Sequence, residues 1–333
     1  MPNLYVTEQG ARVEKEYDRL VVVKDSVVLL DVPAIKVSEV VLVGRVGVTT
    51  PALQMLLERG IGLVLLSQTG EFLGRLSGDR SSNTSLKQAQ YRRAGEPQFC
   101  LGVARAVARG KVWNCRVRCL RIAASTGNAT ARRSVRSMES LLARLPQAPT
   151  LAAVRTLEAQ AGRAYFATLR THLHPEWVFP SRKRRPPPDP VNVLLSATYT
   201  LLTEAVYSAT VLAGLDPYCG FYHAERPGRP ALVLDLMEEF RPLIADSVVQ
   251  ALVNKRMLRP WDFRPGPPER PVILNPDGYK TVLQAFGERL RTRVTIPRLE
   301  RQTTYHRLLE VQARRMAAAI EGRATGYEPF LSR

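Results

Sequence analysis

Cysteine, histidine and long apolar runs are all scarce in this chain of 333 residues. The four cysteines, at positions 100, 115, 119 and 219, are too few and too irregularly spaced for a disulfide framework, so they favour a reducing compartment. The longest apolar run, residues 61–66, is far too short to cross a bilayer, and the opening residues lack the basic and apolar regions of a signal peptide. We therefore expect a cytoplasmic protein with no membrane contact.

Acidic residues are the minority among the charged ones, and the two signs are unevenly placed. The chain has 48 Lys and Arg against 30 Asp and Glu, a formal charge of +18. Residues 1–85 hold 9 basic and 10 acidic residues, so the whole positive excess, +19, lies in residues 86–333. If arginine served only to keep the protein soluble, residues 1–85 would also carry an excess of positive charge, and they do not. The charge therefore predicts a polyanion such as nucleic acid as the partner.

The first part of the chain is divided into short strands. Runs rich in Val and Leu and separated by Gly, Asp and Pro predict strands at 3–7, 19–24, 26–31, 40–43, 62–67 and 71–76. One helix interrupts them, because Thr49 is a good N-cap, Pro51 suits the first turn and Gly60 suits the end. We predict a small β domain over residues 1–76, a β-sandwich or roll with one helix. A polar linker at 77–90 is expected to follow it.

The hydrophobic period changes after this linker. Apolar residues recur every three or four positions, with arginines between them, which predicts amphipathic helices with a basic outer face. These helices are predicted at 86–124, 151–173, 191–212, 232–254, 278–291 and 296–320. A basic, Pro-rich loop at 182–190 is either a solvated surface or a phosphate contact. The predicted fold class is α+β, two domains, with the β domain followed by a larger all-α domain over 91–333.

His223 and an acidic helix after it form the segment most typical of a functional site. His223 ends a turn rich in Gly and aromatic residues, and the helix at 235–242 follows after one loop. In that helix Asp235, Glu238 and Glu239 fall at i, i+3 and i+4, so at least two carboxylates share one face. They repel each other unless a metal or arginines lie nearby.

Simpler interpretations of these residues stay open at this point. Acidic residues are common in the first turn of a helix, where they face the positive end of its dipole. Cys219 and His223 have the spacing of half a zinc site, but no second Cys/His pair lies at matching spacing. Cys115 and Cys119 share a helix face and are more typical of core packing.

Four stretches, taken together, resemble one known family in order and spacing. They are residues 157–166, 189–196, 220–223 and 228–242, with further likeness at 43–49, 60–64, 70–74 and 305–327. On these stretches the chain resembles Cas1, the CRISPR-associated integrase and endonuclease family, over nearly its whole length. The resemblance implies a homodimer formed through the β domain. It also implies that two such dimers flank a dimer of the small companion protein Cas2.

The resemblance assigns roles to matching positions. Glu158, His223 and Glu238 are expected to be catalytic and to bind the metal. Asp235 and Glu239 are expected to contact these three residues and hold them in position without binding the metal themselves. Two carboxylates and one imidazole form a mixed oxygen and nitrogen set that accepts Mn²⁺ or Mg²⁺. In the family Gly usually follows the first glutamate, whereas this chain has Ala159.

DNA contacts are predicted at Arg229, Arg241, Asn192, Lys183 and Arg184. A guanidinium can engage two phosphate oxygens, although Arg229 and Arg241 can equally balance the charge of the glutamates. Asn192 matches another motif position and either contacts DNA, orients a ligand or only stabilises its helix.

The reaction implied by the resemblance is a metal-dependent transesterification. The 3′-hydroxyl of a short DNA fragment would attack a strand of the repeat array, and water in its place would give nuclease activity. One alternative is a DNA-binding scaffold with no catalysis. Another is a metal hydrolase for small phosphate esters, which the strongly basic second part disfavours.

Overall fold

The computed structural model describes residues 3–76, 78, 83–183, 186–224, 226–296 and 301–333, and it shows a mixed α+β fold. The amino-terminal part is rich in strands, and the remainder is mainly helical. Its strands are β1 Asn3–Val6, β2 Arg12–Glu16, β3 Arg19–Lys24, β4 Val27–Pro33, β5 Glu39–Val43, β6 Gly47–Val48, β7 Gly62–Leu66 and β8 Phe72–Leu76. Helix α1, Thr50–Arg59, lies between β6 and β7.

These strands form two four-stranded sheets with the orders β1-β5-β7-β8 and β4-β3-β2-β6. Strand β5 lies in the middle of the first sheet, parallel to both neighbours, and each of its five residues is buried. A continuous apolar run suits such a position. Apolar residues of both sheets and of α1 share one core, which includes Val13, Leu20, Leu42 and Leu56.

Helix α1 confirms the prediction made from its ends. The Thr49 hydroxyl accepts a hydrogen bond from the Ala52 N–H, and Gly60 ends the helix with a φ of 65°, where glycine is unstrained. Strands β2 and β6 escaped prediction. Val13 is the buried residue of β2, so the strand has no apolar run that would reveal it.

The helices and hairpins of the second part position the site. The helices are α2 Thr84–Ala94, α3 Pro97–Thr126, α4 Ala129–Arg144, α5 Leu151–His172, α6 Pro190–Leu212, α7 Ala231–Met237, α8 Ala245–Asn254, α9 Pro276–Arg291 and α10 Tyr305–Ile320. Two antiparallel hairpins accompany them, β9 Phe263–Pro265 with β10 Val272–Leu274 and β11 Arg293–Ile296 with β12 Arg301–Thr304. In the described part of the chain, none of these helices has the length and apolarity that a membrane span requires.

Several predicted boundaries differ from those observed. Helix α2 begins at Thr84, capped by the Asn83 side chain, so the last part of the stretch assigned to the linker is helical. The long helix predicted at 86–124 is two helices, because the chain turns at Gly95 and restarts with Pro97 in the first turn of α3. Helix α4 and both hairpins were not predicted. The helix predicted from residue 296 begins only at Tyr305.

A buried polar cluster joins the first sheet to α6. The guanidinium of Arg75, on β8, pairs with Glu204 of α6 and lies 3.6 Å from the ring centroid of Tyr207. Glu39 of β5 accepts a hydrogen bond from the Ser208 hydroxyl. Burial raises the pKa of Glu204 to about 7, with a contribution from the charge of Glu39, although Arg75 opposes the shift. Two buried carboxylates therefore lie within the electrostatic influence of one guanidinium.

The Glu204→Gln variant is expected to show a flatter dependence of stability on pH. Glu204 would lose its proton near pH 4.5 in the unfolded chain but keeps it until about pH 7 in the folded protein. Since the folded state binds more protons in this window, the free energy of unfolding falls as pH rises through it, by roughly 3 kcal/mol. Urea titrations across the window measure the slope. An identical slope in wild type and variant would contradict this assignment.

Candidate active site

Three segments that are distant in sequence meet at one point of the helical part. Glu158 lies on α5, His223 ends the turn before α7, and Glu238 directly follows α7. The carboxylates of Glu158 and Glu238 both contact the ammonium of Lys111, on α3, with 2.7 Å between Nζ and Oε2 of Glu238. Nε2 of His223 lies 3.6 Å from Oε1 of Glu238. The three residues predicted to be catalytic are therefore brought together.

Asp235 fixes the position of His223. One Asp235 oxygen accepts the backbone N–H groups of Phe221 and Tyr222 at 2.8 and 3.0 Å, and the other accepts that of His223 at 2.9 Å. The latter oxygen also lies 2.7 Å from Nδ1 of His223. A carboxylate at this distance favours the tautomer with the proton on Nδ1, which leaves Nε2 as an acceptor facing Glu238. Asp235 thus orients the imidazole, whereas its support of a metal site stays a prediction.

The turn that carries His223 requires glycine at position 220. A Cβ atom there would lie 2.8 Å from the Ala231 backbone carbon and 2.9 Å from the Leu232 nitrogen. Such distances are too short for any side chain, so the turn packs directly on the first residues of α7. This contact holds His223 against the helix that presents Asp235.

Glu238 is a buried carboxylate surrounded by cations. It is 2% exposed, and Nη2 of Arg241 lies 3.2 Å from its Oε1. Burial alone would raise the pKa of Glu238, but the charges of Arg241 and Lys111 lower it. The residue is therefore an anion when a ligand arrives.

Tyr222 and Lys111 are residues of the cluster that the sequence analysis missed. The Tyr222 hydroxyl donates to Glu158, and its pKa is raised by burial and by the Glu158 charge. Lys111 lies 47 positions before Glu158, and its role depends on helix packing. The one feature of the sequence that distinguishes Lys111 is its residue type, since it is the single lysine among the basic residues of α3.

The structure places Glu239 away from this cluster, which corrects the supporting role predicted for it. Its carboxylate accepts hydrogen bonds from Gln312 and Tyr327, each at 2.9 Å, and from the backbone of Phe330 at 2.8 Å. Burial raises the pKa of Glu239 to about 8. The residue anchors the carboxy-terminal tail instead.

Asn192 lies in the interior, which corrects its predicted contact with DNA. It is 0% exposed, and its side chain accepts the backbone N–H of Lys183 at 2.9 Å and donates to Asp189 at 2.6 Å. Asn192 therefore shapes the basic loop from within. The side chain of Lys183 stays at the surface, and Arg184 lies outside the described residues.

The two predicted phosphate-binding arginines occupy different surroundings. Arg241 is 8% exposed, pairs with Glu238 and lies 4.9 Å from the ring centroid of Tyr199. Arg241 therefore balances the charge of Glu238. To contact a phosphate directly, the Arg241 side chain would have to leave the interior. Arg229 is half-buried in a turn in which its backbone N–H donates to the Arg226 carbonyl at 3.0 Å.

The carboxylates of Glu158 and Glu238 and the imidazole of His223 are ligand types that bind divalent cations. The ammonium of Lys111, however, already lies against both carboxylates. In the part of the chain that the structure describes, no three His, Cys, Asp or Glu side chains form a ready metal-binding group. The ammonium of Lys111 contacts the carboxylates of Glu158 and Glu238. Oε2 of Glu238 is buried and lies 2.7 Å from that ammonium, yet it has no well-aligned hydrogen bond within the described residues. Two carboxylates and an imidazole acceptor fit Mg²⁺ or Mn²⁺ once Lys111 moves aside.

Comparison with known proteins identifies relatives over the full length. A family model described as CRISPR associated protein Cas1 matches residues 4–288. The protein named CRISPR-associated endonuclease Cas1 3 of Thermus thermophilus is 37% identical over 334 residues, which cover 99% of this chain and 97% of that protein. A CRISPR-associated exonuclease Cas4/endonuclease Cas1 fusion of Geobacter sulfurreducens is 35% identical over 99% of this chain, and the alignment spans 60% of the fusion.

Solved structures share the fold. A casposase bound to integration product matches with a TM-score of 0.84 at 19% identity, over 98% of this chain and 93% of that one. A chain of a Cas6-RT-Cas1–Cas2 complex matches with a TM-score of 0.82 at 22% identity, over 99% of this chain and 36% of that one. The sequence matches carry the family assignment, and the structural matches agree with it in fold. This chain belongs to the Cas1 family of CRISPR-associated proteins.

Proposed function

We propose that this chain is a divalent-metal-dependent DNA endonuclease and integrase of CRISPR adaptation, which joins short DNA fragments to a repeat array. The observation that carries the proposal is that Glu158 and Glu238 meet at one cation, with the imidazole of His223 beside Glu238. The names of the relatives add support, since one is called an endonuclease and a structural neighbour is a casposase bound to integration product.

The residues of the site would bind and orient the reacting groups. Glu158, Glu238 and Nε2 of His223 would hold Mg²⁺ or Mn²⁺, and a bound ion of this kind stabilises negative charge on a transferring phosphate. Asp235 keeps the imidazole in one orientation. The Tyr222 hydroxyl holds Glu158 from the other side. These contacts are made before substrate arrives, so little reorganisation is needed during the reaction.

The proposed reaction exchanges one phosphodiester bond for another. The 3′-hydroxyl of the fragment loses its proton and attacks a phosphorus atom in the repeat strand. The bond from that phosphorus to the 3′-oxygen of the repeat strand breaks, and that oxygen leaves as a new 3′-hydroxyl. When water attacks instead, the strand is cut. The bonds formed and broken are of one kind, so joining needs no energy-supplying cofactor.

Double-stranded DNA and a Cas2 protein are the proposed partners. Residues 86–333 carry the whole positive excess of +19, which suits a phosphate backbone and predicts binding that weakens steeply as salt rises. Exposed Lys183, on the basic loop, is a proposed backbone contact. A structural neighbour is part of a complex that includes Cas2, which supports a Cas2 partner for this chain.

Strand β4 supports the proposed homodimer. It is an edge strand of its sheet, and Val27, Val28, Leu29 and Leu30 are 59%, 57%, 47% and 43% exposed. An uncovered apolar edge strand promotes association of one chain with another. Residues 1–85 have a net charge of only −1, so a second copy would meet little electrostatic repulsion there.

A double change on β4, Val28→Lys with Leu30→Lys, is expected to turn the dimer into a monomer. Two buried ammonium groups per protomer would be desolvated without partners at such an interface. Light scattering coupled to size exclusion measures the mass. The matched control is Val178→Lys, at a site that is 71% exposed on the loop before α6, which should leave the mass unchanged. A dimer that survives the double change would place the interface elsewhere.

The joining reaction itself is the direct test of the proposed function. Labelled DNA fragments, a repeat-bearing plasmid, Mn²⁺ and a companion Cas2 protein are mixed with the chain, and joined products are separated by electrophoresis. Products at the repeat boundary would support the proposal. DNA binding without any joining or cutting would favour a non-catalytic scaffold. Hydrolysis of small phosphate esters that ignores added DNA would favour an unrelated hydrolase.

A further inference from the structure

Lys111 occupies the centre of the cluster rather than its rim. It lies near the middle of α3, and its side chain is 17% exposed. Its ammonium pairs with Glu158 and lies 2.7 Å from Oε2 of Glu238. A largely buried lysine at this position brings a positive charge to the place where a divalent cation would bind the same two carboxylates.

The two glutamates differ in the other cations available to them. Glu238 is also paired with Arg241 at 3.2 Å. Within the described residues, Lys111 is the cation paired with Glu158, whose other oxygen accepts from the neutral Tyr222 hydroxyl. Removing the ammonium would leave Glu158 without its ion-pair partner and with only the more distant charge of Arg241, and it would leave Glu238 with Arg241 alone. Buried carboxylates in that condition destabilise a fold strongly.

We propose that Lys111 is an internal counter-cation, which holds Glu158 and Glu238 together before metal binds and competes with the metal for them. This inference rests on the proposed function, because it assumes that a divalent cation binds between these residues. A lysine suits the task, since its compact charge sits on a flexible stem that can rotate away. An arginine would instead hold a carboxylate in a planar, two-point contact. Lys111 is thus a positioning residue that keeps the metal-free site in shape at a cost in metal affinity.

The test compares Mn²⁺ binding and metal-free stability in wild type and Lys111→Met. Calorimetric titration with Mn²⁺ alone is expected to give at least about tenfold tighter binding in the variant, because no ammonium has to be displaced. Without metal, the variant is expected to melt lower by roughly 5–10 °C, since the carboxylates lose their counter-charge. Added Mn²⁺ should then raise its melting temperature more than that of wild type.

Two controls separate this role from a general effect on α3. Arg116→Met removes another cation from the same helix, one that pairs with Glu139 at 2.6 Å, and should leave Mn²⁺ affinity unchanged. Lys111→Arg keeps the charge and should keep metal-free stability near wild type. If Lys111→Met folds only when Mn²⁺ is present during refolding, that dependence supports the proposal. Failure to fold even with Mn²⁺ overturns it.

The possible outcomes distinguish this inference from the proposed function. Equal or weaker Mn²⁺ binding in Lys111→Met than in wild type overturns the competition while the metal-dependent function stands. An absence of Mn²⁺ binding in wild type, Lys111→Met and Lys111→Arg alike overturns the metal-dependent function and this inference with it. Tighter binding in Lys111→Met, with Arg116→Met unchanged, supports both.

Discussion

Replacing Glu158 with Gln, or His223 with Ala, is expected to lower Mn²⁺-dependent cutting and joining of DNA by a factor on the order of 10³ or more. Each change removes one of the three groups proposed to bind the metal. The Glu158→Gln change keeps the shape of the side chain and an oxygen that can accept from the Tyr222 hydroxyl. The loss should therefore come from the missing charge rather than from unfolding, and circular dichroism verifies that the fold is kept.

DNA binding by these variants is expected to stay within about twofold of wild type, because backbone contacts of the basic surface supply most of the affinity. The matched control is Glu139→Gln, which changes the same residue type on α4, where Glu139 is half-exposed and paired with Arg116. That variant should join DNA normally. Activity at the wild-type level in both site variants would rule out this cluster as the reaction centre.

The Phe330→Ala variant is expected to lose about 3–5 kcal/mol of stability, the usual cost of removing a buried aromatic ring. Phe330 is 2% exposed and stacks on Phe240 with 6.4 Å between ring centroids. Its backbone N–H donates to Glu239 and its carbonyl accepts from Asn114, each at 2.8 Å. Since Glu239 follows Glu238 directly, a loosened tail should also weaken the segment that carries Glu238.

Urea unfolding of the Phe330→Ala variant measures this loss, and Mn²⁺ titration reports on the site. The control is Phe72→Ala, which removes the same ring from a position that is 47% exposed on β8. The control should cost no more than about 1 kcal/mol, because less apolar area returns to water. Equal losses in the two variants would show that the tail does not support the helical core.

Local signals predicted the ends of several elements well. Thr49 and Gly60 cap α1 as expected, and α6 begins at Pro190, one residue before the predicted start. The division of the chain into a strand-rich and a helical part is also confirmed. Predictions failed where a long apolar period continued across a break, as at Gly95, or where a strand buried a single side chain, as in β2 around Val13.

The site was predicted unevenly for a related reason. Glu238 and Glu239 are neighbours, but adjacent side chains of a helical turn point about 100° apart. One therefore faces the cluster and the other faces Gln312 and Tyr327. Asn192 matched a motif position, yet burial gives it a structural task that the motif does not reveal. A motif names the residue type that is needed, whereas packing decides which way it points.

By itself, the sequence determined the properties that depend on neighbouring residues in the chain and on the net charge of each segment. These include the helix caps, the near-neutral first segment, the +19 charge of the remainder and the segments that carry Glu158, His223 and Glu238. Only the tertiary structure decided that Lys111 contacts the carboxylates of both Glu158 and Glu238. It also decided that the carboxy-terminal tail binds Glu239 through the backbone of Phe330. Hydrophobic periodicity shows which face of a helix is buried. It does not show which neighbour that face will meet, and the electrostatics of the site depend on that choice.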